Sequence, residues 1–152
     1  MIETSTGLFT VAVFQDAEWA AKALNALKDA GFSADAVSVI AKEAPPVTAL
    51  MEKTFGSPGD RLDLGAVGPA IARGPLVAAL QASGSDLTKL GLAGTMRRVG
   101  FQAHDGRIFE ALTARGGVLV AVRSEPRAAD ALALFHSYGG GNAAIGAWTG
   151  RV

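Results

Sequence analysis

Apolar residues come in short dense runs separated by helical stripes, and the alternation of the two predicts the elements. Leu8-Phe9-Thr10-Val11-Ala12-Val13-Phe14 is rich in β-branched and aromatic residues with little polar interruption, which predicts a strand. Asp16 then reads as an N-cap, with Glu18 in the first helical turn. Trp19, Ala20, Ala23, Leu24, Leu27 and Ala30 fall on one helical stripe. Gly31 is the expected left-handed stop, with Phe32 folding back as the apolar contact of a Schellman motif. A second strand is predicted over Ala36-Val37-Ser38-Val39-Ile40.

The same series returns near the C-terminus. Gly117-Val118-Leu119-Val120-Ala121-Val122 is a strand, Ser124 an N-cap and Pro126 a first-turn proline. Ala128, Ala131, Leu132 and Phe135 make the stripe, Gly139 the stop, and Ala143 to Trp148 the last strand. At one constant offset Asp16 aligns with Ser124, Leu24 with Leu132, Leu27 with Phe135, Gly31 with Gly139 and Val37 with Ile145. Agreement of cap, stripe, stop and strand points to an internal strand–helix–strand repeat. Two such units predict an α+β, ferredoxin-like sandwich: a four-stranded antiparallel sheet with both crossover helices on one face. The first strand of each unit should be central and the shorter second strands should be edges.

Between the halves (8–41 and 117–148) lies a segment, 42–116, too long for a plain loop, so the chain reads as one domain, 1–152, with a helical insert. Pro45-Pro46 opens a helix through Phe55, and Gly56 to Asp60 is a turn. Leu62 to Leu80 is Gly/Ala-rich and broken by Pro69 and Pro75. Ser85-Asp86 caps a helix with the stripe Leu87, Leu90, Ala93 and Met96 that ends at Gly100, and Gly91 and Gly94 within it suggest close helix packing. Asp105 caps another carrying Ile108, Phe109 and Leu112, which Gly116 stops. The first strand is apolar on both faces, so the sheet face opposite the crossover helices needs cover from the insert, from a second subunit, or from both.

Composition narrows the chemistry. Of the residues 49% are hydrophobic but only 7% aromatic, so the core is built from small side chains. Charged residues make up 18%, a low share that suggests surface buried against another copy, hence self-association as a dimer or larger. Fourteen basic residues balance 14 acidic ones, which removes the basic face that nucleic acid needs. The absence of cysteine removes disulfides and thiolate chemistry. The N-terminus lacks a basic, signal-like start, so a cytoplasmic location is expected. Asp63, Arg73 and the two prolines argue against Leu62–Leu80 spanning a bilayer, which leaves peripheral contact through Leu64–Leu80 as the weaker membrane reading.

Few residues suggest a site. His104 stands at a helix entrance and His136 in a last turn, and neither belongs to a metal-ligand spacing, so no metal and no cofactor is expected. The glycine clusters follow helices and precede strands, the reverse of a phosphate cradle. Arg97, Arg98, Arg107 and Arg115 form the one local basic excess. His104, Arg107 and Arg97 are therefore the candidate ligand-binding residues, with no catalytic group among them. Trp148 and Phe14 are the candidate interface residues.

Three stretches together resemble a bacterial family of small proteins typified by general stress protein 17M. They are Thr10-Val11-Ala12-Val13-Phe14 with the alanine-rich helix, Ala30-Gly31-Phe32 and the Val-Ser-Val-Ile strand; Gly74-Pro75-Leu76-Val77-Ala78-Ala79-Leu80; and Val99-Gly100-Phe101, a helix with Phe109-Glu110, and Arg115-Gly116-Gly117-Val118-Leu119-Val120-Ala121-Val122. The resemblance implies a stress-associated role and no defined reaction. The expectation is a non-enzymatic, stress-associated homo-oligomer. The alternative is a small-molecule or anion-binding module, or an enzyme, with a pocket between the sheet and the inserted helices.

Overall fold

The first apolar run forms strand β1 (Phe9–Phe14) in the computed structural model, which describes residues 9–57, 59–64, 67–82, 87–98, 103–123 and 127–138. Helix α1 (Ala17–Asp29) begins at the expected cap, where Asp16 Oδ1 accepts from the Trp19 amide at 2.9 Å. It ends as expected too: the Gly31 amide donates to Lys28 O and the Phe32 amide to Leu27 O, both at 3.0 Å. A 3-10 turn, Ala34–Ala36, leads into β2 (Val37–Lys42).

The insert departs from its all-helical reading. Pro45-Pro46 does open α2 (Pro45–Phe55), but the chain then makes two strands, β3 (Asp60–Asp63) and β4 (Pro69–Arg73), before α3 (Pro75–Ala82). Helices α4 (Leu87–Arg98) and α5 (Ala103–Ala114) follow, then β5 (Val118–Arg123) and α6 (Ala128–Ser137). Helix α5 starts ahead of Asp105, which lies in its first turn rather than at its cap. The expected caps Asp86 and Ser124, the stops Gly100 and Gly139, and the strand over 143–148 lie outside the described residues.

All strands pair antiparallel, in the order β1-β5-β2-β4-β3. Among the described residues the sheet thus has five strands, three of the four expected ones and two that the insert adds. Strand β2 was expected at an edge. It lies instead between β5 and β4, with five of its six residues buried. Lys42 pairs with Ala70 and Val39 with Arg73, so the insert itself covers the β2 edge. The outer strand β3 carries exposed Asp60, Arg61 and Asp63, a composition that discourages further edge pairing.

Period-two alternation sends the side chains into two cores. Phe9, Val11, Val13, Ile40, Leu119 and Ala121 point to one, where Leu76, Val77, Leu92, Met96, Phe109 and Leu112 from α3, α4 and α5 cover them. Ala12, Phe14, Val39, Val118, Val120 and Val122 point to the other, under α1, α2 and α6. Helices α1 and α6, which the expected repeat aligns, therefore share a face, and α3, α4 and α5 of the insert seal the opposite one. Phe14 and Phe135 meet edge-to-face at 5.5 Å between centroids. Arg127 ties the halves together by donating from Nη1 to Ala30 O at 2.9 Å.

No helix among the described residues is long and apolar enough to cross a membrane. Leu62–Leu80, the most membrane-like run, is divided between β3, β4 and α3, and Leu64, Val67, Leu76 and Val77 turn into the core rather than outward. Gly74 makes the bend between β4 and α3. Its φ of 120° is left-handed, and a Cβ there would collide with the Val37 carbonyl and with Ser38. Pro75 then supplies a first helical residue with no amide to satisfy. The buried Leu76 amide donates to the equally buried Ser38 Oγ at 2.8 Å.

Helix α4 is broken. Gly91 has φ 78° and ψ 176°, a combination open essentially to glycine alone. Glycines expected to permit close packing thus include one that ends a helical turn and starts another. Glu110 on α5 caps the new start, its Oε2 accepting from the Ala93 amide at 3.1 Å.

Candidate functional site

Helices α1 and α2 lie on the same sheet face, each burying an apolar stripe: Ala20, Ala23 and Leu27 on one, Val47, Leu50 and Met51 on the other. Between them a cleft of about 370 Å³ opens above β2. Its volume is within the ~300–1,000 Å³ of small-molecule sites. The buried side chains of Leu27, Val37 and Leu50 form its base, and half-buried Leu24 and Phe32 its walls. Asn25 and Thr54 add neutral polar groups. The exposed Lys28 and Lys53 complete the lining, each in the last turn of its helix, where a cation complements the helix dipole.

Phe32 is held in place from outside the cleft. The Arg127 guanidinium lies 4.3 Å from its ring centroid while Nε contacts Asp130 at 3.2 Å. A shallower cleft of about 280 Å³ adjoins the first, sharing Ala34 and Val37, and brings Asp35, Asp60 and Arg73 to its lining.

The residues singled out from the sequence lie elsewhere. Arg97 is the penultimate residue of α4 and His104 the second of α5, two helices packed together in the layer opposite the cleft, and their side chains lie outside the described residues. Arg107 is an exposed residue of α5. The structure therefore brings these three onto one helical pair and none of them into the cleft. Phe14 is fully buried beneath Phe135 and offers no surface for a partner, because the second face of β1 is covered by α1 and α6. Trp148 lies outside the described residues. Trp19 is half-buried on the α1 stripe, with Lys22 Nζ 4.4 Å from its ring centroid. His136 is exposed in the last turn of α6, as expected. Among the described residues no three of His, Asp and Glu come together as a metal site.

Sequence reasoning missed Lys28 and Lys53. Each reads singly as a helix-end cation, and nothing in their spacing announces a shared cleft. Comparison with family models, with curated proteins and with solved structures finds no match for this chain.

Proposed function

We propose that the protein is a non-enzymatic binding module that holds a small ligand between α1 and α2. The observation that carries this reading is the make-up of the cleft, an apolar base and walls with a few polar groups at the margin. One wall belongs to the repeat and the other to the insert, since α2 lies in the segment 42–116. The pocket is thus made with an inserted helix, though not with the helices that carry His104, Arg107 and Arg97.

The stress-associated role and the family resemblance are part of the same proposal. They rest on the resemblance of the sequence motifs, two of which are in contact: the Ser38 hydroxyl of the Val-Ser-Val-Ile strand accepts from the Leu76 amide of the Gly-Pro-Leu motif. The ferredoxin-like reading of the fold belongs here as well. The order β1-β5-β2 is that of the first, third and second strands of such a sandwich, and α1 and α6 share a face. Strands β3 and β4 are in this reading an extension built by the insert.

Self-association was expected to use the apolar sheet face, and the chain's own helices occupy both faces. A self-contact would need another surface, such as α6, where Leu132 is 41% exposed. Sedimentation showing a stable monomer at micromolar concentration would remove oligomerisation from the proposal and leave the cleft untouched.

A thermal-shift screen of small amphipathic compounds tests the cleft. Ligands that raise the melting temperature of the native chain should lose that effect in Leu24→Trp, which fills the opening. His104→Ala and Arg107→Ala should leave it intact. A screen in which Leu24→Trp responds like the native chain would place the binding elsewhere.

A further inference from the structure

We infer that the ligand of the α1–α2 cleft is an amphipathic anion, its apolar body against Leu24, Phe32 and Leu50 and its headgroup at Lys28 and Lys53. The inference rests on the cleft reading and adds the ligand's charge. Two lysines and no carboxylate line the cleft, in a chain whose formal net charge is zero. Among the described residues neither lysine has an ion-pair partner, whereas Arg61 pairs with Glu43 and Arg127 with Asp130.

Helix-end placement does not use these cations up. The last carbonyls of α1 already accept from backbone: Ala26 O from the Ala30 amide, Leu27 O from Phe32 and Lys28 O from Gly31. At the end of α2, Glu52 O accepts from the Gly56 amide at 2.8 Å. Those carbonyls do not need the ammonium groups as donors. The four-carbon lysine stems suit an apolar margin while the charge stays at the surface. An anion with an apolar tail complements the two marginal cations while its tail covers the base. A neutral ligand lacks that complementarity and a cation opposes it.

Calorimetric titration of the full chain with decanoate, decan-1-ol and decyltrimethylammonium, each below its micelle-forming concentration, separates the two levels. The three share one tail and differ in head charge. Decanoate should bind about fivefold or more tightly than the alcohol, with the ammonium compound weakest, and the preference should fall as salt rises. Lys28→Ala and Lys53→Ala, both exposed positions, should each remove much of the preference for decanoate while leaving the alcohol's affinity unchanged. Phosphatidylglycerol vesicles serve as the membrane-borne source of the same chemistry, and the free anion should bind where the vesicles do not. Equal binding of decanoate and decan-1-ol, or lysine variants that bind decanoate like the native chain, would overturn the charge inference and leave the cleft reading standing. Binding to vesicles without binding to decanoate would overturn it as well. Failure of all three probes, with Leu24→Trp indistinguishable from the native chain, would remove the cleft reading itself.

Discussion

Ser38 shows how one polar atom can decide a junction. It sits at 0% exposure in a strand of apolar neighbours, and its hydroxyl is the acceptor that the buried Leu76 amide needs. Ser38→Ala removes that acceptor and leaves the donor unsatisfied, which should cost about 1–3 kcal/mol in urea unfolding. The same variant should speed exchange of the Leu76 amide more than that of amides in β5. Thr95 is the opposite case. It is also fully buried, but its Oγ1 has no hydrogen-bond partner. Thr95→Val keeps the shape and removes the unpaired hydroxyl, so stability should rise by about 1 kcal/mol, seen as a higher urea midpoint at unchanged slope.

At the scale of elements, α4 departs most from its sequence pattern. Its stripe predicts one continuous helix, and Gly91 divides it because Glu110 on a neighbouring helix supplies a cap for the second piece. Glu110→Ala should therefore cost about 0.5–2 kcal/mol, the range for loss of a helix cap. Glu110→Gln should recover most of that, since its amide oxygen still accepts from Ala93. If the two variants unfold alike, the cap is not what holds α4. A Cβ at Gly91 would lie 3.1 Å from Glu110 Oε2, in a backbone region that L residues rarely adopt, so Gly91→Ala should be harmful by at least as much. Helices α1 and α2 follow their sequence signals closely, from the Asp16 cap to the Gly31 stop and from Pro45 to Phe55.

For the whole molecule, the consequence of the insert is cooperativity. It donates β3 and β4 to the same sheet as the repeat, α2 to one layer and α3 to α5 to the other. Neither core closes without it. Unfolding should be a single transition, with tryptophan fluorescence and far-ultraviolet circular dichroism coincident. Separate transitions would mean that repeat and insert fold independently. Phe135→Ala should lower stability by about 3–5 kcal/mol, because it empties a fully buried position against Phe14 and loosens α6 from the sheet.

Local signals were legible wherever a single residue type carries the reason. Asp16 caps, Gly31 and Gly116 stop their helices, Pro45 opens one, and alternation in β1 divides Phe9, Val11 and Val13 from Ala12 and Phe14. The need to cover both sheet faces was likewise readable, because β1 has no polar side. Short strands were not. Asp60–Asp63 and Pro69–Arg73 look like turn and linker, since charge and proline oppose a strand and only pairing to the β2 edge overrides them. The candidate site was the least legible of all. Lys28 and Lys53 stand on separate helices, and their meeting depends on α1 and α2 lying side by side over β2. By itself the sequence determined the Asp16 cap, the Gly31 and Gly116 stops and the two-sided apolar strand, because those rest on local residue chemistry. Only the tertiary structure decided strand order, the internal place of β2 and the cleft, because those depend on which distant segments satisfy one another's hydrogen bonds and apolar faces.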